Sequence, residues 1–480
     1  MITYQDLQAV QGGESARADF VRRVIREHLS SDLYNTAKIA DDYVRMRNTT
    51  VMNYQRMITL VTGERVQDPF NPVHRMTSGF FKIFVTQLSQ YLLANGPTWK
   101  NPGEKKKLGE DFDTRLQELG KSAIKGSVSF GFFNLDHVEV FNVYDKNTGN
   151  FAPIYDDENG LLAAGVRFWQ TDVDRPLRAT LYELDGYTEY LWSGDFTPTE
   201  KWAAVGDNAY AQPKRSYIIH TPTSEAAGPE DGVGENYPFF PIVPMWANPE
   251  RQSEILGLRE KIDAYDMILN GFEDDLDNAQ LYWVIKGAGG MDDPSLAQFL
   301  DRLRTLKAAT TDGDQEINPV GVEIPYEARE RLLDRLEKQL YKDSMLMNPT
   351  DLSSSAATAT QIRAAYTPQN NKADELEYCV IDFIHRLLKV AGLKDETPTF
   401  TRSMIVNAQE EVQTVVSAAT YLDREYVTTK ILNLLGDGDK AEEVLRRMDE
   451  EDEERLGGEN MPPKPQNGSP DALENGGVQE

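Results

Sequence analysis

The sequence is short of several features that would narrow its function. It has one cysteine, Cys379, so no disulfide can form within the chain, which suits a reducing compartment. The N-terminus has no basic segment followed by an apolar run, so we expect no secretory signal. The most apolar helical stretch, residues 80–94, contains the polar side chains of Lys82, Gln87, Ser89 and Gln90. It therefore predicts an amphipathic core helix and no membrane span.

Positive charge is also scarce. The chain has 78 acidic and 50 basic side chains, so its formal net charge is −28. Residues 449–480 contain ten acidic and two basic residues, or −8, which leaves −20 for the rest of the chain. Tight binding of nucleic acid through its phosphates requires Lys and Arg. The composition thus argues against a DNA-gripping protein, although the chain could still surround DNA without holding it.

No catalytic or metal-binding constellation stands out. Gly120-Lys121-Ser122 ends like a phosphate-binding loop, but the first glycine of that motif would fall at Arg115. The five histidines are scattered without metal-ligand spacing. Acidic pairs such as Asp156-Asp157 are adjacent, so their side chains diverge and make poor acid/base dyads. We predict no catalytic residues, no metal site, no cofactor and no enzymatic activity.

What is present is organised around residues 253–393. Gaps of three and four residues between apolar side chains predict a helix over 253–279 and another over 326–347, entered after Pro325. Each would be about 30–40 Å long. A pair of helices with such narrow apolar stripes buries little against itself, so we expect it to need neighbours, namely copies of the same chain. The first stripe consists of Ile255, Leu258, Ile262, Tyr265, Leu269, Phe272 and Leu276.

The N-terminal half divides into helices followed by strands. Helices are predicted within 1–60, 77–95 and 105–125. Between 127 and 220, aromatic and β-branched residues alternate with polar ones and turn clusters separate them, which predicts an antiparallel meander. Its strands are expected at 138–144, 166–169, 180–184, 187–192 and 217–220.

The C-terminal half contains a small insert, a polar loop and more helices. The insert, 281–324, is predicted as a strand at 281–286, a helix at 294–309 and a strand at 320–324. A helix over 356–393 should be kinked or interrupted at Pro368, which removes a backbone hydrogen bond. Residues 407–447 are predicted helical, and 449–480 is predicted disordered because it is acidic and rich in Gly, Pro and Asn.

The second predicted helix carries alternating charges, with five basic residues facing five acidic ones. Asp334 and Lys338 are four residues apart with the acid first, which is the favoured orientation for an ion pair. Two interpretations stay open. The charges form a solvated, self-paired face, or one or two cations, Lys338 and Lys342 first, line a surface that faces DNA.

The order of these elements resembles that of the bacteriophage portal proteins of the SPP1-like family, the head-to-tail connectors. Residues 91–97 resemble the end of an early helix of that family, 262–266 the motif on its first stem helix, and 357–362 the start of its long helix. Residues 421–448 resemble its C-terminal crown. The resemblance covers about residues 40–450 and depends on order and spacing, because no single motif is specific.

The resemblance implies an α+β fold, mainly α, of a portal-type ring subunit. It would have a β-rich wing, a two-helix stem, a small α/β clip, a long helix and a helical crown. The implied boundaries are wing 1–250, first stem helix 251–280, clip 281–324, second stem helix 325–347, tunnel loop 348–357, long helix 358–405 returning to the wing, crown 406–448 and acidic tail 449–480.

The resemblance also implies a ring, usually of twelve subunits, at one capsid vertex of the virion, assembled in the host cytoplasm. Double-stranded DNA would pass through it without sequence specificity during packaging and ejection. Partners would be the terminase, head-completion or adaptor proteins, and capsid and scaffolding proteins, with no membrane. The alternatives are a non-catalytic capsid scaffold or interaction protein, and an enzyme associated with the virion.

The residues implied for these roles fall into three groups. The tunnel loop facing DNA would be Asn348, Pro349, Thr350, Asp351, Leu352, Ser353, Ser354 and Ser355. Channel-lining candidates are Lys338 and Lys342. Candidates for binding partners at the clip are Lys286, Arg302, Arg304 and Lys307.

Overall fold

The computed structural model of the protein describes residues 2–59, 63–68, 73–172, 174–195, 197–199, 201–220, 233–278, 282–286, 298, 316–320, 326–352, 359–402, 408–435 and 440–458. The chain forms two compact units. The first contains Met1–Ser355 and Ala364–Met404, and the second contains Ala356–Arg363 and Ile405–Glu480. The first unit mixes helices and strands, whereas every element described in the second is helical.

The helices described before the main sheet are α1 (Tyr4–Gln8), α2 (Gly13–Ser30), α3 (Asp32–Val44), α4 (Thr49–Met52), α5 (Phe80–Leu93), α6 (Pro102–Lys106) and α7 (Phe112–Gly126). Side-chain oxygens of Ser31 and Asn48 accept hydrogen bonds from the first turns of α3 and α4. The single helix predicted over 105–125 is wrong. The chain breaks between α6 and α7 because Gly109 has φ +110°, which a right-handed helix does not allow.

Nine strands form the main sheet. They are β4 (Val128–Asn134), β5 (His137–Asn142), β6 (Asn150–Tyr155), β7 (Leu162–Trp169), β8 (Leu177–Glu183), β9 (Gly186–Trp192), β10 (Ala203–Gly206), β11 (Ala209–Ala211) and β14 (Ile242–Trp246). Their order is β10-β11-β9-β8-β7-β6-β5-β4-β14. All neighbours are antiparallel except β5 and β6, which share one parallel pair, Asn142 with Asn150. The last strand, β14, returns to pair with β4 at the edge.

Short hairpins lie outside this sheet. They are β1 (Met57–Thr59) with β2 (Arg65–Gln67), and β12 (Ile218–His220) with β13 (Val233–Glu235). The prediction that 217–220 belongs to the meander is therefore wrong. Two of the three β12 residues, Ile219 and His220, are exposed, so this segment has no apolar face to bury in the sheet.

One face of the sheet is covered by α2. Its residues Phe20, Val21, Val24 and Ile25 pack with side chains of β6 to β9 in one apolar cluster. Helix α7 packs against β4 and β5, where Leu116, Leu119 and Ala123 are buried. Burial of this kind stabilises a fold by roughly 25 cal/mol for each Å² of apolar surface removed from water. The sheet and these helices thus form a body with its own core.

Two helices and a hairpin follow the sheet. Helix α8 (Arg259–Asn278) begins later than the predicted residue 253, because Gly257 has φ +79° and lies outside the helix. Strand β15 (Tyr282–Lys286) pairs antiparallel with β16 (Glu316–Val320), and Tyr282 is opposite Val320. The described second strand of the insert is thus at 316–320, and it shares only Val320 with the predicted strand at 320–324. Residues 321–325, and the helix predicted over 294–309 apart from position 298, lie outside the described residues.

Helix α9 (Tyr326–Ser344) ends three residues before the predicted 347. Met345 has φ +58°, its N–H bonds to the Lys342 carbonyl at 3.2 Å, and the Leu346 N–H bonds to the Tyr341 carbonyl at 3.2 Å. This is a Schellman stop, usually made by glycine. A methionine in the left-handed region costs roughly 1–2 kcal/mol, so the stop is held by contacts that follow it.

Helix α10 (Ala359–Val390) contains Pro368 and continues through it. The predicted interruption of this helix is therefore wrong. Its C-terminal half is deeply buried, at Leu376, Val380, Phe383, Ile384 and Leu387. Packing of that half against the body stabilises a helix that has lost one internal hydrogen bond. After it, β17 (Thr399–Phe400) pairs with β3 (Pro97–Thr98).

The second unit contains α11 (Ala408–Ala418), α12 (Arg424–Leu435) and α13 (Ala441–Gly458). Helix α13 extends ten residues into the range predicted to be disordered, so that prediction is wrong for 449–458. Glutamate is a good helix former, and the Arg446–Glu450 pair at 3.6 Å supports the turn where the acidic run begins. Residues 459–480 lie outside the described residues.

Candidate functional site

The first distinctive feature of α8 is a buried polar face. Asp266, Asn270 and Asp274 are four residues apart and all three are buried. The Asn270 carboxamide binds both polar groups of the Met76 backbone, accepting from its N–H at 2.6 Å and donating to its carbonyl at 2.8 Å. The N–H of Ser78 donates to Asp266 Oδ1 at 3.0 Å, and that of His74 donates to Asp274 Oδ1 at 2.9 Å. We call Asp266, Asn270 and Asp274 the polar ladder.

The ladder can bind every second residue of the extended segment because the spacing along the helix matches the spacing along the segment. Four residues of a helix advance by about 6 Å. Two residues of an extended chain advance by about 6.6 Å. Residues 266, 270 and 274 therefore meet residues 78, 76 and 74 in turn. The extended segment 74–78 is bound along α8 much as a strand is bound by its neighbour.

The N-terminal half of α8 is held by further hydrogen bonds. Asn48 Nδ2 donates to Asp266 Oδ2 at 2.8 Å, and Thr50 Oγ1 donates to Asp263 Oδ2 at 2.8 Å. The hydroxyl of Tyr43 donates to Asp263 Oδ1. Burial and this carboxylate raise the pKa of Tyr43 to about 12. Burial likewise raises the pKa of Asp266 above its ordinary value of 3.8.

Among the described residues, apolar packing is closest at one end of the α8/α9 pair. Phe80 lies 4.9 Å from Tyr265 between ring centroids, and Phe84 lies 5.2 Å from Tyr341, so α5 covers the start of α8 and the end of α9. At the other end of α9, Leu332 is 43% exposed and Tyr326 is 58% exposed. Apolar side chains of both helices are thus covered at the α5 end, whereas Leu332 and Tyr326 of α9 stay partly exposed.

The exposed face of α9 carries a row of cations. Arg331, Asp334, Arg335, Lys338, Gln339 and Lys342 line one shallow depression of about 390 Å³. Among the described residues, neither Lys338 nor Lys342 forms an ion pair, so the predicted Asp334–Lys338 pair is absent from the structure. Asp343 pairs instead with Lys261 of α8. Both channel-lining candidates are therefore exposed cations without a carboxylate partner in the described part of the chain.

The polar loop begins in a fixed position. Asn348 is buried, and its Oδ1 accepts the Thr350 N–H at 3.0 Å. Residues Pro349–Leu352 form a 3₁₀ turn. Asn348, Pro349, Thr350, Asp351 and Leu352 are thus the described part of the predicted tunnel loop. Ser353, Ser354 and Ser355 lie outside the described residues.

Of the four residues predicted to bind partners at the clip, only Lys286 is among the described residues. Lys286 is at the end of β15, opposite Glu316 of β16. Arg302, Arg304 and Lys307 lie outside the described residues. The role of these four residues in binding partners therefore stays a prediction.

Features typical of other protein classes find no support in the described ranges. There, no set of three or more His, Cys, Asp or Glu side chains is placed to hold a metal ion. Within the same ranges, no helix has the length and apolarity needed to cross a membrane. Gly120 lies within α7, where a Cβ would come 2.4 Å from Leu93 Cδ1, so packing accounts for this glycine. Burial raises the pKa of Cys379 to about 11, which keeps its thiol protonated at neutral pH.

Comparison with known families gives one match over most of the chain. The model of the family described as "Phage portal protein, SPP1 Gp6-like" matches residues 27–457. The chain belongs to this family. The sequence-based resemblance is thereby confirmed, and the general role is that of a phage portal protein, a structural component of the virion.

Individual relatives of this portal protein are distant. It is 23% identical over 383 residues to the portal protein of Clostridium phage phiCD119, which covers 73% of this chain and 80% of the relative. It is 23% identical over 379 residues to the portal protein of Bacillus phage SPP1, covering 75% and 72%. A solved chain from the virion of a native gene transfer agent particle aligns with a TM-score of 0.39 at 11% identity, covering 74% of this chain and 89% of that one.

Sequence reasoning missed the polar ladder of this portal protein. Asp266 and Asp274 are not among the apolar residues of the predicted stripe, and acidic residues outside such a stripe normally face water. One signal could have revealed them, because an Asp, an Asn and an Asp recur every four residues on one face. Polar side chains in such a row are typical of a helix face that binds another segment of protein, whereas side chains that only face water need no regular spacing.

Proposed function

We propose that this portal protein forms a ring whose central hole conducts double-stranded DNA at one vertex of the capsid. The observation that carries the proposal is the incomplete cover of α9. Its Leu340 and Tyr341 are buried, whereas Leu332 and Tyr326 are exposed. Water-exposed apolar side chains on a helix favour association, and in a closed ring a different face of the neighbouring subunit would supply the cover.

The charge pattern favours a channel through which DNA slides over a site that holds DNA tightly. Arg331 and Lys342 are eleven residues apart, so the cation row extends over about 16 Å of helix. A DNA duplex carries about one negative charge per 1.7 Å, or roughly nine charges over that length. A single row of four cations, interrupted by Asp334, neutralises only part of this charge, and in a ring the rows of the other subunits would be spread around the duplex. Transient, sequence-independent contacts would let the duplex slide.

The insert would then be the docking site for the packaging motor and the head-completion proteins. Its two strands form a hairpin in which Tyr282 lies opposite Val320. Antiparallel partners have Cα atoms about 5 Å apart. Residues 283–319 could therefore be replaced by a short Gly linker without moving α8 or α9. The shortened protein should still form rings but no longer recruit a terminase, and retained recruitment would refute this role.

The channel can be tested by cross-linking. A photo-cross-linking amino acid would replace Lys338 in the purified ring, and in a control protein it would replace Lys389, an exposed lysine of α10. Linear duplex DNA should become attached several-fold more at position 338, and the difference should shrink as salt concentration rises. Equal attachment at both positions would contradict a DNA-lining role for α9.

A further inference from the structure

Met347, the residue just before the 348–352 segment, is bound by two glutamines from different helices. The Met347 N–H donates to Gln369 Oε1 of α10 at 3.1 Å. Gln87 Nε2 of α5 donates to the Met347 carbonyl at 2.9 Å and to Gln369 Oε1 at 3.1 Å. Both polar groups of the Met347 backbone are therefore satisfied by side chains, with Gln369 as the acceptor and Gln87 as the donor.

The same face of α10 also holds the end of α9. Lys372, three residues after Gln369, donates to the Ser344 carbonyl at 2.9 Å and pairs with Glu254. Residues three apart on a helix lie on one face. The carbonyl at a helix end carries partial negative charge, so an ammonium group stabilises it. Gln369 and Lys372 thus contact the chain on both sides of the Met345 turn.

This arrangement is more than ordinary core filling. Gln369 is 1% exposed, and a buried carboxamide is retained only where its hydrogen bonds are made. The residues it binds follow a methionine in the left-handed region, a conformation that needs support from its surroundings. Polar bonds have direction, so they fix where the backbone goes next, which apolar contacts would not.

We infer that Gln87, Gln369 and Lys372 are positioning residues, which fix the point and direction in which the chain leaves α9 toward the 348–352 segment. The inference rests on the proposed function only in that this segment would face the DNA. In a ring, this three-residue clamp would place every copy of the segment at one height and one distance from the axis.

Gln369 accepts hydrogen bonds and Gln87 donates them, so the same substitution should have different effects at the two positions. Gln369→Glu keeps an acceptor oxygen for Met347 and Gln87, whereas Gln87→Glu turns a donor into a carboxylate that faces two acceptors. Gln369→Leu removes the acceptor. Nitroxide labels would be placed at position 350 or, as the control, at position 339 on exposed α9, each in a Cys379→Ser background. The mobility of each label is read by electron paramagnetic resonance.

We expect Gln369→Leu and Gln87→Glu to shorten the correlation time of the label at 350 at least twofold, and Gln369→Glu to leave it within experimental error of the unsubstituted protein. The label at 339 should not change in any variant. Unchanged mobility at 350 in folded Gln87→Glu protein would overturn the inference, and so would equal loosening at 339. If Gln369→Leu does not fold, the two Glu variants still decide.

Ring formation is read on the same samples by mass photometry. If the unsubstituted protein forms no rings, the proposed function fails, while the label mobilities still judge the clamp. If rings form and the label mobility at 350 is the same in all glutamine variants, only the inference about the clamp is refuted and the proposed function stands.

Discussion

The sheet body and the α8/α9 pair are stabilised in different ways. The body buries aromatic and aliphatic side chains on both sides of β4, with Phe130, Phe132 and Phe133 all buried. The α8/α9 pair is attached through a polar ladder and leaves Leu332 exposed. The body is thus complete within one chain, whereas the proposed function requires that the helix pair be positioned by this chain and covered by others.

The largest expected effect belongs to the body. Phe383 of α10 is fully buried, and its Cζ lies 2.6 Å from where a Cβ on Gly131 would stand. Phe383→Ala should lower the free energy of unfolding by about 3–5 kcal/mol, because it removes a ring and leaves a cavity. Denaturant titration would measure it. The matched control is Tyr378→Ala on the same helix, where the side chain is 72% exposed and the change should be below about 0.5 kcal/mol. Similar losses in both variants would contradict a closed body core.

A smaller effect is expected at the ladder. Asn270→Leu leaves both polar groups of Met76 without their partner, which should cost about 1–3 kcal/mol. Amide hydrogen exchange should show the loss as faster exchange at residues 74–78. Glu273→Gln, on the same helix but outside the ladder, should leave that exchange unchanged. If protection at 74–78 survives Asn270→Leu, these polar contacts do not attach α8.

The two regions should also respond to pH with opposite signs. In the body, burial lowers the pKa of His28, whose Nε2 bonds to the Val143 carbonyl at 3.0 Å. The unfolded chain takes up a proton near 6.5, so this stability is present above 6.5 and is lost as pH falls below it. Melting temperature should therefore drop less between pH 7.5 and 5.5 in His28→Gln than in the unsubstituted protein. Parallel curves would exclude His28 as the cause.

At the ladder, the raised pKa of Asp266 gives the reverse dependence. Below pH 3.8 the Asp266 carboxyl is protonated in both the folded and the unfolded state, and its contribution to folding stability is fully present. As pH rises from 3.8 through the raised pKa, the unfolded chain loses this proton first and the contribution is lost. The stability of the unsubstituted protein relative to Asp266→Asn should thus decrease over that range, as measured by denaturant titration at a series of pH values. A relative stability that increases with pH there would contradict the burial of an ionised Asp266.

The smallest effect on stability is expected at the cation row. Lys338 and Lys342 are exposed and make no ion pair with the described residues, so replacing both with Gln should change the free energy of unfolding by less than about 0.5 kcal/mol. The same replacement should still reduce cross-linking of DNA to neighbouring positions of α9. A marked loss of stability would show that these lysines support the fold.

Periodicity was enough to predict most helices and the mixture of helix and sheet. It failed where backbone conformation overrides pattern, as at Gly109, Gly257 and Met345, each with positive φ. Strand β14 was missed as a sheet member because its partner β4 is more than a hundred residues away. Pairing between such distant segments leaves no local signal.

At the candidate site, the charges of α9 were visible in the sequence but their pairing was not. Acidic and basic residues four apart favoured self-pairing as one of two interpretations, and the structure has such a pair between Glu327 and Arg331. Asp334 and Lys338 do not pair, and Asp343 pairs with Lys261 of another helix. The ladder was hidden for a similar reason, since an aspartate is buried only when a partner satisfies it, and the partner here is the backbone of residues 74–78.

Electron microscopy of the purified protein tests the central claim most directly, because it shows whether sister chains complete the α8/α9 pair. Class averages should show closed rings with a hole wide enough for a duplex, and α8 and α9 should line it. Single compact particles at micromolar concentration, under conditions that support assembly, would contradict the account.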